Sequence, residues 1–382
     1  MTPKTGKARR RTRTEKDATS SGGFYRDVAE RLNSKVGENT VVDLDSEEFT
    51  LSSVKEYIST QCYGLNWAMH LPGIPVGRVS CIRGDFMSGK STIALHLMAE
   101  VQKMGGFAVY IDTEYAFDKD RAAAIGLEFT EDKWMLVQVD TVEKAVTTLR
   151  ELTETAREMQ DAGTDRLVCI VWDSVSATST EAEMEAEFGE ARPGLHARLL
   201  SAALRQLTPK IAKYRIALIL VNQEKDRVDF FSQGKGGNAA KTMIAEKAIM
   251  FHSTIVLRPQ HMMALTNSKK DPIGIRVRTT VRKNKLAAPF SKVEFIINFA
   301  NGIDNAASVL AIAYQYRLVQ KSGPWYRYDG QKFYERDFQK ILDAHPEIME
   351  ELEIIRQKGA TAKPNPDDAD YDVDEGEEEE DE

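Results

Sequence analysis

Apolar residues along this 382-residue chain fall into short continuous runs separated by longer stretches of helical spacing. Runs at 79–82, 108–111, 136–138, 167–172 and 217–221 predict strands buried on both faces, because a strand with one wet face alternates apolar and polar positions. Residues 91–103, 142–159 and 195–214 repeat apolar positions at helical spacing and predict helices between those strands. This alternation predicts an α/β fold: a mainly parallel, twisted sheet flanked by helices on both faces. Runs at 253–257, 275–282 and 293–299 follow one another without helical stretches, so the sheet is expected to end in antiparallel pairs.

The same pattern divides the chain. Residues 1–23 read as a basic, disordered head ending in a Ser/Gly hinge. A short helix with Phe24, Val28, Ala29 and Leu32 on one face opens the segment 24–45. It has no core of its own and is expected to dock on a neighbouring subunit. The core spans 46–302, a small C-terminal α/β lobe, mainly helical by its pattern, spans 303–358, and Pro364 and Pro366 open an acidic tail within 359–382.

Charge changes the picture at both ends. Residues 1–16 carry seven basic side chains against Glu15, and residues 367–382 carry twelve acids, so the net −8 becomes +4 once those sixteen are set aside. The overall acidity therefore does not argue against a polyanionic partner. Like-charged blocks stay solvated; a basic arm on phosphates and an acidic strip competing with them is the functional alternative. No apolar run is long enough to span a membrane, and the head lacks the apolar stretch of a secretory signal. Three widely spaced cysteines (Cys62, Cys81, Cys169) form neither a disulfide framework nor a zinc knuckle, so a reducing cytoplasm is expected.

One stretch carries recognisable chemistry. Gly84, Asp85, Phe86, Met87, Ser88, Gly89, Lys90 and Ser91, with Thr92 following, match GxxxxGK[ST] between a strand and a helix. Such a loop turns backbone N–H groups onto a phosphate, adds the partial positive charge of a helix N-terminus, sets Lys90 against the β/γ oxygens and offers the Ser91 hydroxyl to Mg²⁺. Asp173 ends the run 167–172 and is the candidate second Mg²⁺ contact, although a strand-end Asp also caps turns. Asp112-Thr113-Glu114 ends another strand, and Glu114 is the candidate that polarises the attacking water.

From about Ile58 to Gln357 these residues, in this order, resemble the RecA family of homologous recombinases, including its phage UvsX-type members. The stretch from Tyr110 to Asp118 resembles the segment bearing the family's catalytic glutamate, and Asp173-Ser174-Val175 its metal-site strand. Val221-Asn222-Gln223 looks like the strand end whose glutamine senses the γ-phosphate. Gly236-Gly237-Asn238-Ala239 resembles the motif closing the second DNA loop, and Trp325 to Gly330 a bacterial-type lobe. Lys283-Asn284-Lys285 through Phe290 is close to the bacterial segment whose lysines reach the ATP of the adjacent subunit. The resemblance implies Asp118 at the nucleotide. Where the family stacks an aromatic on adenine, this chain has Arg121, whose guanidinium plane also stacks.

The resemblance implies an ATP- and Mg²⁺-dependent recombinase. It would form a helical filament on single-stranded DNA and pair that strand with a homologous duplex. Single-strand-binding and mediator proteins would be further partners, and the location cytoplasmic and nucleoid-associated. Lys225, Arg227, Val228, Phe230 and Phe231 set cations beside apolar side chains, which suits sequence-indifferent stacking on single strands; by themselves, Phe230 and Phe231 fit a packed position beneath the loop as well. Arg192, in a first loop at 188–195, and Arg198 and Arg205, seven apart on one helix face, are candidate phosphate contacts or solvated arginines. Lys283 and Lys285 alternate on a strand and share a face. A ring-forming helicase and a regulatory ATPase with a protein partner are the rival readings. The two-lysine segment and the 325–330 segment weigh against the first, and the cationic, aromatic loop at 224–235 against the second.

Overall fold

The computed structural model describes residues 19–37, 41, 54–186, 194–226 and 241–357. The chain divides into two compact units, Met1–Val54 and Lys55–Glu382. In the first, helix α1 (Thr19–Val36) extends the expected 24–32 helix in both directions, and Phe24, Tyr25, Leu32 and Val36 along it are exposed.

The second unit is built on one large sheet. Its strands in chain order begin with β1 (Tyr57–Ile58) and β2 (Ile74–Pro75), a small separate pair around helix α2 (Tyr63–Met69). Next come β3 (Val79–Gly84), α3 (Lys90–Lys103), β4 (Phe107–Asp112), α4 (Lys119–Ile125), β5 (Trp134–Gln138) and α5 (Val142–Asp161). Then follow β6 (Val168–Asp173), α6 (Glu181–Glu185), α7 (Leu195–Lys213), β7 (Ile216–Asp226), β8 (Lys241–Met243) and α8 (Glu246–His252). The long strands β9 (Ile255–Thr266) and β10 (Pro272–Asn284), with β11 (Lys292–Asn298) and β12 (Gly302–Asp304), complete the sheet. The spatial order is β12-β11-β10-β9-β3-β7-β6-β4-β5, with β8 on the end of β7.

From β9 to β5 the neighbours run parallel, and from β9 to β12 antiparallel, as the sequence pattern predicts. Side chains alternate between two apolar layers. Ile82 packs with Ile93 and Leu97 of α3 on one face, whereas Val79 and Cys81 meet Leu149 of α5 and Leu204 of α7 on the other. Each fully buried Leu or Ile contributes about 1.5–3 kcal/mol relative to exposure, so the two layers hold the strand ends in fixed register. Gly84 lies opposite Gln223, and Asp112 opposite Asp173. Four residues read separately from the sequence thus meet at one edge of the sheet.

The lobe is α/β as expected, with more strand than its apolar pattern suggests. After α9 (Asn305–Gln315) the chain forms a three-stranded meander, β13 (Gln320–Ser322), β14 (Trp325–Tyr328) and β15 (Gln331–Phe333), before α10 (Phe338–Ala344) and α11 (Glu347–Gln357). These strands are too short and too exposed to show an apolar run. The lobe's apolar cluster of Val309, Leu310, Phe333, Phe338, Ile348 and Leu352 also takes in Trp67 of α2. The sequence pattern also passes over α8, whose seven residues begin after Ala245 at φ +55°.

Candidate active site

The loop between β3 and α3 wraps a cavity of about 170 Å³ lined by Phe86 to Thr92, Glu114, Arg121, Asp173 and Gln223. Its glycines are required by space as well as backbone. Gly89 caps α3 at φ +90°, and a Cβ there would lie 2.4 Å from Ile297 Cδ1; a Cβ on Gly84 would lie 2.5 Å from the Pro259 carbonyl. Ser88 Oγ donates to the Asp85 carbonyl at 2.8 Å, and the buried Lys90 ammonium donates to the same oxygen at 2.6 Å. Burial lowers the Lys90 pKa, while Asp173, Glu114 and Asp85 pull it back up. A cation so placed is poorly solvated and well disposed toward an entering anion.

Asp173 is buried at the end of β6, which raises its pKa; side-chain bonds from Ser91 and Tyr110 oppose that rise. Tyr110 OH donates to Asp173 Oδ2 at 2.6 Å. The peptide from Asp173 to Ser174 is cis. Ser174 Oγ donates to Glu114 Oε1, and Gln223 Nε2 donates to the same oxygen at 2.7 Å. The loop that carries Glu114 turns on Asp112, whose carboxylate accepts the backbone N–H of Glu114 at 3.2 Å, Ala116 at 3.3 Å and Phe117 at 3.2 Å. Phe117 then packs against Tyr110 and Trp134, each with ring centroids 5.2 Å away. That packing sets Asp118 at the N-cap of α4, accepting from Arg121 N. The exposed Arg121 reaches back to Thr92 Oγ1 at 2.6 Å.

Lys283 and Lys285 do reach one side. Lys283 Nζ donates to the Met250 carbonyl, and Lys285 Nζ to the Phe251 carbonyl at 3.0 Å, at the C-terminal end of α8. Only Lys283 lies within β10, which ends at Asn284. Burial lowers the His252 pKa there, and Lys285, Arg205 and Lys283 lower it further, so Arg205 belongs to this cationic cluster. Arg198 is exposed one face-length earlier on α7. Arg192, Arg227, Val228, Phe230, Phe231, Gly236, Gly237, Asn238 and the Lys225 side chain lie outside the described residues. The flanks of that second loop are held together, since Lys225 pairs with Thr242 and Asp226 with Lys241.

Several residues at the site escape sequence reasoning. Ile275, Ile297 and Phe299 line the cavity from β10 and β11 and the turn after them, with Ile275 and Ile297 opposite each other. Tyr110 reads as a strand residue, and only its hydroxyl beside a buried acid could have marked it. Asp112 carried a signal in the aspartate that starts many turns.

Compared with known proteins, residues 26–304 match the family model of the RecA N-terminal domain. The chain belongs to the RecA family. It is 34% identical over 341 residues to the Protein RecA of Leifsonia xyli, covering 88% of this chain and 90% of that one. The Protein RecA of Cytophaga hutchinsonii is 33% identical over 332 residues, with 86% and 88% covered. That of Methylobacterium sp. is 36% identical over 305 residues, with 79% of each chain covered. The RecA-family core is a P-loop ATPase fold, and the Gly84–Ser91 loop sits at the carboxyl edge of its sheet, where such folds bind ligands. Among the described residues no helix is long and apolar enough to cross a membrane.

Proposed function

We propose that this protein is an ATP-dependent DNA recombinase that assembles on single-stranded DNA and catalyses homologous pairing and strand exchange. The observation that carries this reading is the bridge from Gln223 to Glu114, which joins the nucleotide cavity to the strand leading into the second loop. The backbone of residues 84–91 and Lys90 would hold the β- and γ-phosphates. The Ser91 hydroxyl and the Asp173 carboxylate are hard oxygen donors lining the same cavity, a donor set that fits Mg²⁺. Held by Ser91 and Asp173, Mg²⁺ would supply positive charge against the phosphates. Glu114 orients the attacking water, with Ser174 and Gln223 holding the carboxylate in place.

Phosphoryl transfer of this kind depends on positioning and charge stabilisation more than on covalent help. In the isolated chain Lys283 and Lys285 lie on the carbonyls of α8. In a head-to-tail filament they would instead face a neighbour's ATP, so hydrolysis would wait for assembly on DNA. Arg198, Arg205 and the 225–238 loop would meet phosphates and bases. Asp118 and Arg121 would meet the adenine.

The test is ATP hydrolysis without DNA, with single strands and with duplex, for the unaltered chain, Lys90→Ala and Lys283→Ala. Strong stimulation by single strands, lost in both variants, is the expected result. Activity indifferent to DNA and to Lys283 sinks the recombinase reading and favours a regulatory ATPase.

A further inference from the structure

Two arginines and two glutamates from four separate elements meet beneath the nucleotide cavity, and none belongs to the machinery described above. Arg83, next to last in β3, places Nε 2.7 Å from Glu224 Oε1 and bonds Glu246 Oε1 through Nη1. The Nε–H does not point along the line to a carboxylate oxygen, so the Glu224 contact is held by charge more than by an aligned hydrogen bond. Glu224 also takes Arg258 of β9, through Nε at 2.9 Å and Nη2 at 2.9 Å. The Arg83 and Glu224 side chains are 8% and 1% exposed. For a charge pair sealed that far from water, desolvation offsets much of the attraction, and fixing register or switching between states is its best-attested use.

The elements it aligns are those that must move together. Arg83 precedes Gly84, the first residue of the phosphate loop. Glu224 follows Gln223, and Gly84 and Gln223 are register partners. Glu246 opens α8, whose far end carries the Met250 and Phe251 carbonyls that hold Lys283 and Lys285. The guanidinium fork lets one side chain hold two carboxylates at once, which a single ammonium on a flexible stem does poorly. We infer that Arg83 is a positioning residue that couples Gln223 to the end of α8 whose carbonyls hold Lys283 and Lys285, making it the mechanical link between nucleotide state and the DNA-dependent interface. The inference rests on the recombinase reading. When Gln223 leaves Glu114 for a phosphate, Glu224 moves with it, and Arg83 passes the displacement to Glu246 and the short helix behind it.

The test uses the full chain with oligo-dT, ADP and a slowly hydrolysed ATP analogue. Glu246→Ala removes the helix tie at a side chain 34% exposed and leaves Arg83 paired with Glu224. Arg83→Met with Glu246→Gln removes one charge of each sign and leaves Glu224 on Arg258. Both are expected to keep their thermal midpoint and to bind nucleotide without DNA within about twofold of the unaltered chain. Stimulation of hydrolysis by oligo-dT should fall about tenfold, as should the ratio of oligo-dT affinities with ATP analogue and with ADP. Arg83→Lys should not restore either. A folded variant of either kind with unaltered stimulation and ratio overturns the inference while the recombinase reading stands. Absence of stimulation in the unaltered chain overturns both.

Discussion

The side-chain amide of Gln223 donates to Glu114 Oε1 at 2.7 Å, crossing over β6 from the end of β7 to the loop after β4. Ser174 uses the same oxygen. The N–H that holds the Glu114 carboxylate is not free for a phosphate, so the amide must turn, or use its second N–H, to reach one. Gln223→Ala should therefore separate nucleotide binding from its consequence. ADP affinity and thermal stability should stay near those of the unaltered chain, while single-strand stimulation of hydrolysis disappears. Steady-state hydrolysis with and without oligo-dT decides it; retained stimulation would remove Gln223 from the coupling.

Glu114→Gln keeps the size of the side chain and one oxygen that can accept from Ser174 and Gln223, but removes the carboxylate. If Glu114 orients and polarises water, turnover should fall by about 10²–10⁴, with binding of an ATP analogue unchanged. Equal loss of binding and turnover would instead mark Glu114 as a structural link to Ser174 and Gln223.

Tyr110→Phe removes one hydroxyl, the donor to Asp173 Oδ2. The acceptor left behind is buried, which costs roughly 1–3 kcal/mol. A lower thermal midpoint and a higher Mg²⁺ concentration at half-maximal hydrolysis are expected. The second readout separates a role at the cation from packing alone.

His96 gives a pH dependence with a definite sign. It is buried, Nε2 accepts the Ile303 N–H at 2.8 Å, and Nδ1 lies 2.9 Å from Gln61 Oε1, an arrangement of the neutral ring with its proton on Nδ1. Burial, with Lys103 adding to it, lowers its pKa from 6.5 to about 4. The unfolded chain therefore binds the proton first. Stability contributed by the neutral ring is full above pH 6.5, falls as pH drops toward 4 and is gone below it, a total of roughly 3 kcal/mol. His96→Gln should flatten urea unfolding midpoints over that window. Gly302→Ala should destabilise at every pH, because Gly302 lies at φ +83° and a Cβ there would sit 2.2 Å from His96 Nε2.

Removing residues 367–382 changes the net charge from −8 to +4. If the tail competes with phosphates for the chain's cations, duplex DNA binding should tighten at low salt. The gain should shrink as screening shortens to about 8 Å near 0.15 M ionic strength. Unchanged duplex affinity in a salt titration would leave the tail as a solvating extension.

Much of the site is legible in the sequence wherever its chemistry is contiguous. Residues 84–91 announce themselves because one loop must supply its own amides, ammonium and hydroxyl, so the spacing along the chain is the geometry. Asp173 and Glu114 are legible at one remove, as acids ending apolar runs. Ile275, Ile297 and Phe299 are not, because they arrive from β10, β11 and the turn after them, about two hundred residues later. The short helix α8 was equally hidden: Lys283 and Lys285 declare two cations, but nothing local says that helix carbonyls hold them.

By itself, the sequence determined the α/β class, the parallel-to-antiparallel order of the sheet and the phosphate loop, since each follows from periodicity or from residues bonded in series. Tertiary structure alone decided that Tyr110 meets Asp173, that Gln223 meets Glu114 and that Arg83 joins Glu224 to Glu246. Those contacts depend on which strand lies beside which, and that order is set by burying two apolar layers against opposite faces of one sheet. Local spacing carries no record of that choice, so these contacts are legible only where the strand ends lie side by side.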